Sequence, residues 1–224
     1  MTEEQAGVDI ILDYQVVDIN TCEPIPELYL EIWHCNSTGV YSGVNANGNG
    51  NGDESNIDTT FLRGIQPTDA DGVAQFESLF PGHYTGRTPH IHVMAHTNVT
   101  IYDNKTLGNT DIYASHIGQA FFDQALITEV ELNEPYTSNT QPLTLNEDDF
   151  ILAQEAATDG SDPLMQYTLL GETVAEGLFA WLAFGVDASI SNHIEPAVFH
   201  YEDGSVENPN GGGGPGGPGG PPPA

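Results

Sequence analysis

Residues 81–92 read PGHYTGRTPHIH, placing a tyrosine, an arginine and three histidines in one short stretch. The chain holds only three Lys and Arg residues, Arg63, Arg87 and Lys105, and one of them sits here. On a strand, side chains at i and i+2 share a face, so His90 and His92 point one way and Ile91 and Val93 the other. Alone, a His-x-His pair reads as two surface histidines. Here Tyr84 follows a Pro-Gly turn and Arg87 lies three residues before His90, so a turn that folds back places both above the imidazoles. A second tyrosine, Tyr41, closes the polar passage WHCNSTGVYSG.

Two imidazoles with phenolates form a ligand set that suits one ion above others. Phenolate is a hard anionic oxygen donor, so two of them favour ferric over ferrous iron. The set also differs from the thiolate-rich sites of structural zinc or iron–sulfur clusters. Because a free tyrosine ionises only near pH 10, the metal must help to remove its proton. An arginine beside such a site, permanently charged and planar, would stabilise negative charge developing on a substrate oxygen.

The surrounding pattern is one of short strands. VDIILDYQVVDI (8–19) is rich in Val, Ile and Tyr, and ELYLEIWHC (27–35) alternates with Leu28, Leu30 and Ile32 on one face. Residues 45–58 form a Gly/Asn loop, PTDADG a turn, and VAQFESLF and TPHIHVMAH further strands. IGQAFFDQALI reads as strand, turn and short helix, and residues 133–166 as loop. PLMQYTLLG and GLFAWLAFGVDAS read as two apolar strands joined by a short turn. Such spacing predicts an all-β fold, a sandwich or barrel with long loops. One domain is expected over 1–201, with 202–224 a disordered Gly/Pro-rich tail.

Composition narrows the partners. A formal net charge of −30 opposes nucleic acid and anionic membrane surfaces, which need clustered Lys and Arg. Apolar runs fall well short of the ~20 residues of a membrane helix. Cys22 and Cys35 flank a turn and a strand that could bring them together. A disulfide is therefore expected, stabilising by ~3 kcal/mol at most for so short a loop; two buried free thiols are the alternative. With the sequons at Asn36, Asn98 and Asn104, this predicts an extracellular setting. The N-terminus MTEEQAGVDI has neither the charged nor the apolar region of a signal peptide.

Three blocks in order, LEIWHCNSTGVYSG, FLRGIQPTDADGVAQFESLFPGHYTGRTPHIHV and SHIGQAFFDQALI, resemble the intradiol ring-cleavage dioxygenases, non-haem ferric enzymes on a β-sandwich. The likeness runs from about Gly7 to Ser189 and is strongest to an extracellular fungal-type branch that shares the NTCEP…WHCN and HIGQ wording. It implies Fe(3+) held by Tyr41, Tyr84, His90 and His92. Tyr41 would be the equatorial tyrosinate and Tyr84 the axial one that departs when catechol chelates. Arg87 would stabilise the ketonised catecholate, and Gln119 would stand beside the substrate pocket. The implied substrates are an aromatic diol and O2, and the product a cis,cis-muconate. A binding module that retains the metal without turnover, or another oxidation of a phenolic, are the alternatives. Family members carry a further segment before GVDIILDYQ, where this chain has a few residues.

Other residues are expected to be structural. His34, His83, His96 and His116 lie near the motifs; His96 shares the face of His90 and His92 but stands further along, beyond the metal. Arg63 is expected to form an ion pair with Asp69 or Asp71, and Trp33 and Tyr29 to fill core.

Overall fold

In the computed structural model, the described residues are 1–45, 49, 53–103, 106–108, 112–158 and 160–209. In chain order the elements are β1 (Asp9–Asp18), β2 (Tyr29–Trp33), β3 (Arg63–Pro67), β4 (Val73–Leu79), β5 (His90–Thr97), β6 (Ile112–Phe121), α1 (Gln124–Val130) and α2 (Phe150–Ala157). They continue with β7 (Gln166–Leu169), β8 (Leu178–Val186), β9 (Asn192–Ile194), β10 (Val198–Tyr201) and β11 (Gly204–Glu207).

Alternation along β1 buries Ile10, Leu12, Tyr14 and Val16 and turns Ile11, Asp13 and Gln15 outward. β1 pairs antiparallel with β4 and parallel with β8, giving one sheet in the order β4-β1-β8-β7. The second sheet runs β3-β2-β5-β6-β9, and β10 and β11 form a separate hairpin. The two inner faces meet in one cluster, where the β1 side chains pack with Leu30 and Ile32 of β2, Ile91, Val93 and Ala95 of β5, and Ala120 of β6. Each fully buried Leu or Ile in such a layer is worth about 1.5–3 kcal/mol. The all-β sandwich is therefore the observed architecture.

Register then sets what lies beside what on the other face of the second sheet. Trp33 stands opposite His92 across β2 and β5, and Gln119 opposite His92 across β5 and β6. Short strands and the helix after β6 fall where expected. The sequence reading left out β3, α2 and β9 to β11. β11 lies inside the stretch expected as tail, past the boundary drawn at 201/202. The 45–58 loop, the Asn104 sequon and the Gly/Pro run fall partly or wholly outside the described residues.

Two expectations are corrected. Cys22 and Cys35 are both free thiols. Cys22 sits on an exposed turn after β1, its N–H bonded to Asp18 O at 2.7 Å, whereas buried Cys35 lies beyond the far end of β2 and donates to Gly82 O at 3.3 Å. A strand advances ~3.3 Å per residue, so β2 carries Cys35 away from the turn, whereas bridged cysteines need Cα atoms within about 7 Å. Arg63 is not paired with Asp69 or Asp71: its Nη2 donates to Ser42 O at 2.7 Å and its Nε to Ser42 Oγ at 3.1 Å.

His34 and His83 are structural, as expected. His34 bonds Cys35 O and Ser78 Oγ, each at 2.8 Å. His83 bonds Glu131 Oε1 at 2.7 Å and Gln141 O at 2.9 Å, tying the end of α1 to the loop that follows. His96 pairs with Glu31 at 2.7 Å.

Burial pushes His34 down to about 4, against the bond to Cys35 O, which favours the charged ring; Arg63 adds to the depression. Its neutral form therefore contributes stability that is complete above the unfolded value near 6.5 and is lost as pH falls through the folded value. Urea unfolding between pH 7 and pH 4 is expected to show a His34 share of about 3 kcal/mol, absent in His34→Gln. Equal slopes in the two proteins would contradict this. Thiol titration is expected to find Cys22 reactive in the native protein and Cys35 only after unfolding, with no increase in thiols on reduction.

Candidate metal centre

Two loops and one strand build the site. Between β2 and Tyr41, the Asn36 side chain organises a tight turn: its Oδ1 accepts from Thr38 N (3.1 Å), Thr38 Oγ1 (3.0 Å) and Val40 N (3.0 Å). Gly82 N–H then donates to Asn36 O at 3.2 Å. A Cβ at residue 82 would come within 2.5 Å of Ser37 O, so only glycine lets the loop ahead of Tyr84 dock on the loop ahead of Tyr41. Next, Arg87 N–H closes on Tyr84 O at 3.1 Å, with Gly86 at φ +88° in the turn between. That turn brings the tyrosine and the arginine to the same side.

All four expected ligands converge. Tyr41 Oη lies 3.2 Å from both His90 Nε2 and His92 Nε2, and Tyr84 Oη 3.3 Å from His90 Nε2. With metal–donor bonds of about 2 Å, neighbouring ligand atoms sit about 2.8–3.3 Å apart, so this spacing fits a single ion. Thr88 O accepts from His90 Nδ1 at 2.7 Å, which leaves Nε2 with its lone pair toward the tyrosines. His92 stacks flat on Trp33, centroids 4.7 Å apart and 3° between planes, and its buried Nδ1 has no hydrogen-bond partner. Trp33 thus belongs to the wall of the site. Among the described residues no group of three or more His, Cys, Asp or Glu forms another candidate cation site.

Electrostatics set the protonation state of this cluster. Burial raises Tyr41 well above 10, the nearby Tyr84 and Cys35 adding to the effect. Burial pushes Tyr84 up to about 12 although Arg87 opposes it. Burial also lowers His90 to about 3, with Arg87 contributing, and His92 well below its usual range, with His90 and Arg87 contributing. Left to itself the cluster is two neutral phenols and two neutral imidazoles. Imidazoles are then ready to ligate, and phenols become ligands only when a cation offsets the cost of their charge.

Arg87, 8 % exposed, adjoins this cluster with Nη1 3.5 Å from Tyr84 Oη. Its Nη2 donates to Gln119 Oε1 at 2.5 Å and its Nε to Asp149 Oδ2 at 2.9 Å. Asp149 was not anticipated. Burial works to raise its pKa, but the Leu152 N–H, the Arg87 charge and the Thr88 N–H outweigh that and hold it below the usual range. The one local signal was an aspartate before the apolar run FILA, the mark of a helix N-cap. Nothing local connected it to an arginine 62 positions away.

Known proteins share the family pattern and the fold to different degrees. A family model, Dioxygenase_C, described as dioxygenase, matches residues 1–167. An intradiol ring-cleavage dioxygenase from Tetranychus urticae superimposes with a TM-score of 0.67 at 28% identity, over 84% of this chain and 85% of that one. A second dioxygenase structure gives 0.66 at 28% identity over the same shares. The dioxygenase domain of a carbohydrate-binding fusion protein from Streptomyces sp. SirexAA-E gives 0.50 at 22% identity over 84% and 86%, a likeness of fold. No curated protein sequence matches significantly. The family match covers most of the chain, including every residue that meets at the cluster, and the chain belongs to the intradiol ring-cleavage dioxygenase family.

Proposed function

We propose that the chain binds one ferric ion through Tyr41, Tyr84, His90 and His92 and cleaves a catechol-type ring between its two hydroxyl-bearing carbons. Both atoms of O2 enter the product, one ring C–C bond breaks, and no external reductant is needed. The observation that carries this reading is the convergence of two Nε2 and two Oη atoms within 3.2–3.3 Å beside a buried arginine. Bound ferric iron supplies a Lewis acid that draws electron density from a catecholate and readies its ring carbon for dioxygen.

The chain's own groups do the rest. Tyr84, whose Oη lies 3.5 Å from Arg87 Nη1, would hold the ion together with Tyr41, His90 and His92, and its Oη could take a proton from an arriving catechol. Arg87 directs Nη1 toward that oxygen and stabilises negative charge carried on the ring. Gln119 holds the Nη2 edge of the guanidinium through its Oε1, and the Trp33 stack shields one side of His92 from water.

The iron-loaded protein is expected to be red-brown from tyrosinate-to-ferric charge transfer. Catechol added under air should shift the band and yield muconate absorbance. Tyr41→Phe is expected to lose most of the colour and to lower turnover by at least about 100-fold; retention of the full band overturns Tyr41 as a ligand. A protein that takes up no iron overturns the reading.

Without metal, burial is expected to keep both Tyr41 and Tyr84 neutral up to about pH 10, so Tyr41→Phe and Tyr84→Phe leave the ultraviolet phenolate titration unchanged there. Ferric iron should bring both ionisations to neutral pH. Loss of a phenolate signal below pH 10 in either metal-free variant contradicts the buried, neutral state.

A further inference from the structure

Asp149 has no part in the function as described so far, yet its side chain is fully buried. Four donors meet its two oxygens. Oδ1 accepts from Ile151 N (2.9 Å) and Leu152 N (3.0 Å) at the start of α2. Oδ2 accepts from Arg87 Nε (2.9 Å) and Thr88 N (2.8 Å). Those bonds fill the acceptor capacity of a carboxylate and leave it no freedom to rotate.

The two bonds at Oδ2 act on different parts of the metal centre. Arg87 carries N–H groups on three nitrogens of a planar fork. Asp149 takes the Nε edge and Gln119 takes Nη2, so the fork is held from two sides and Nη1 is the nitrogen left facing Tyr84 Oη. Thr88 precedes Pro89, which confines it to extended backbone. With that backbone restricted, anchoring the Thr88 N–H also sets the direction of its carbonyl, and that carbonyl accepts from His90 Nδ1. One oxygen therefore governs both the arginine and the orientation of a histidine.

We propose that Asp149 is a positioning residue that fixes Arg87 and His90 together, so that Nη1 of Arg87 is the donor presented to negative charge at the site. Its catalytic consequence rests on the dioxygenase reading; the clamp itself rests on geometry alone. A plain helix cap would need only Oδ1, and serine performs that role nearly as well as aspartate. Asp149→Ser thus keeps the cap and removes the reach to Arg87.

The chain has two arginines, so the Arg87 Nε–H resonance of isotope-labelled, metal-free protein can be assigned with Arg87→Lys. We expect that proton to be protected from solvent exchange in the wild type and to exchange at least about 10-fold faster in Asp149→Ser. In the iron-loaded variant we expect the colour to remain, kcat to fall about 100-fold and KM to stay within about 3-fold. Adding Asp149→Ser to Arg87→Ala should lower kcat by no more than about 3-fold, the share that passes through Thr88 and His90, because the larger part of the effect passes through the arginine. Unchanged protection of the Nε–H, or an equal loss of kcat with and without Arg87, overturns the proposal. Should the serine variant not fold, Asp149→Asn, which turns an amide donor toward Arg87, is read by the same measurements. Absence of turnover in the wild type would remove the dioxygenase reading while the exchange rate still decides the clamp.

Discussion

β5 is buried on both faces, and this constraint organises the molecule. Residues 90–96 are all shielded from solvent, with Ile91, Val93 and Ala95 in the sandwich core and His90, His92, Met94 and His96 on the other side. An ordinary surface sheet would leave that second side to water. Here it is covered by the loops that carry Tyr41 and Tyr84, so polar ligand atoms end up enclosed in protein. A buried polar group is costly unless it has partners. Every group in the cluster is arranged to have one, except the Nδ1 of His92 under the Trp33 stack.

The two arginines are tied into the loops beside this enclosed face. In a chain with formal charge −30, the two arginines among the described residues are held by specific acceptors. Arg63 fastens the Ser42 backbone just after Tyr41, and Arg87 bridges Asp149 and Gln119. A buried charge lacking such partners would be strongly destabilising. Each arginine thus stiffens a loop that holds a tyrosine. The fold uses these arginines to fix geometry beside the site, while burial keeps the phenols neutral.

Much of the fold and the candidate site was legible along the chain. Period-two alternation located β1, β2 and β5, because a strand's inward face must be apolar wherever it meets the opposing sheet, and apolar runs bounded by turns located β4, β7 and β8. The His90 and His92 pair was legible for the same reason. Where alternation failed, so did the reading. β3, RGIQP, has mostly half-exposed or exposed side chains and no apolar face, and α2 was hidden in a stretch rich in turn-forming residues. The cysteine pairing was misjudged because the turn was expected to fold the strand back and return Cys35 to Cys22, whereas the extended strand carries its far end away.

Residue types and local spacing determined, by themselves, the set of chemistries open to this protein: imidazoles at i and i+2, a phenol and a guanidinium brought together by a turn, a second phenol closing a polar strand-to-turn passage. These follow from backbone geometry over a few residues. Only the tertiary structure decided that Tyr41 meets histidines 49 and 51 residues away, that Arg63 holds Ser42 instead of an aspartate, and that Asp149 holds Arg87. Long-range contacts depend on strand register and loop docking, which are set by the packing of the whole core and leave no periodic trace at the residues they join.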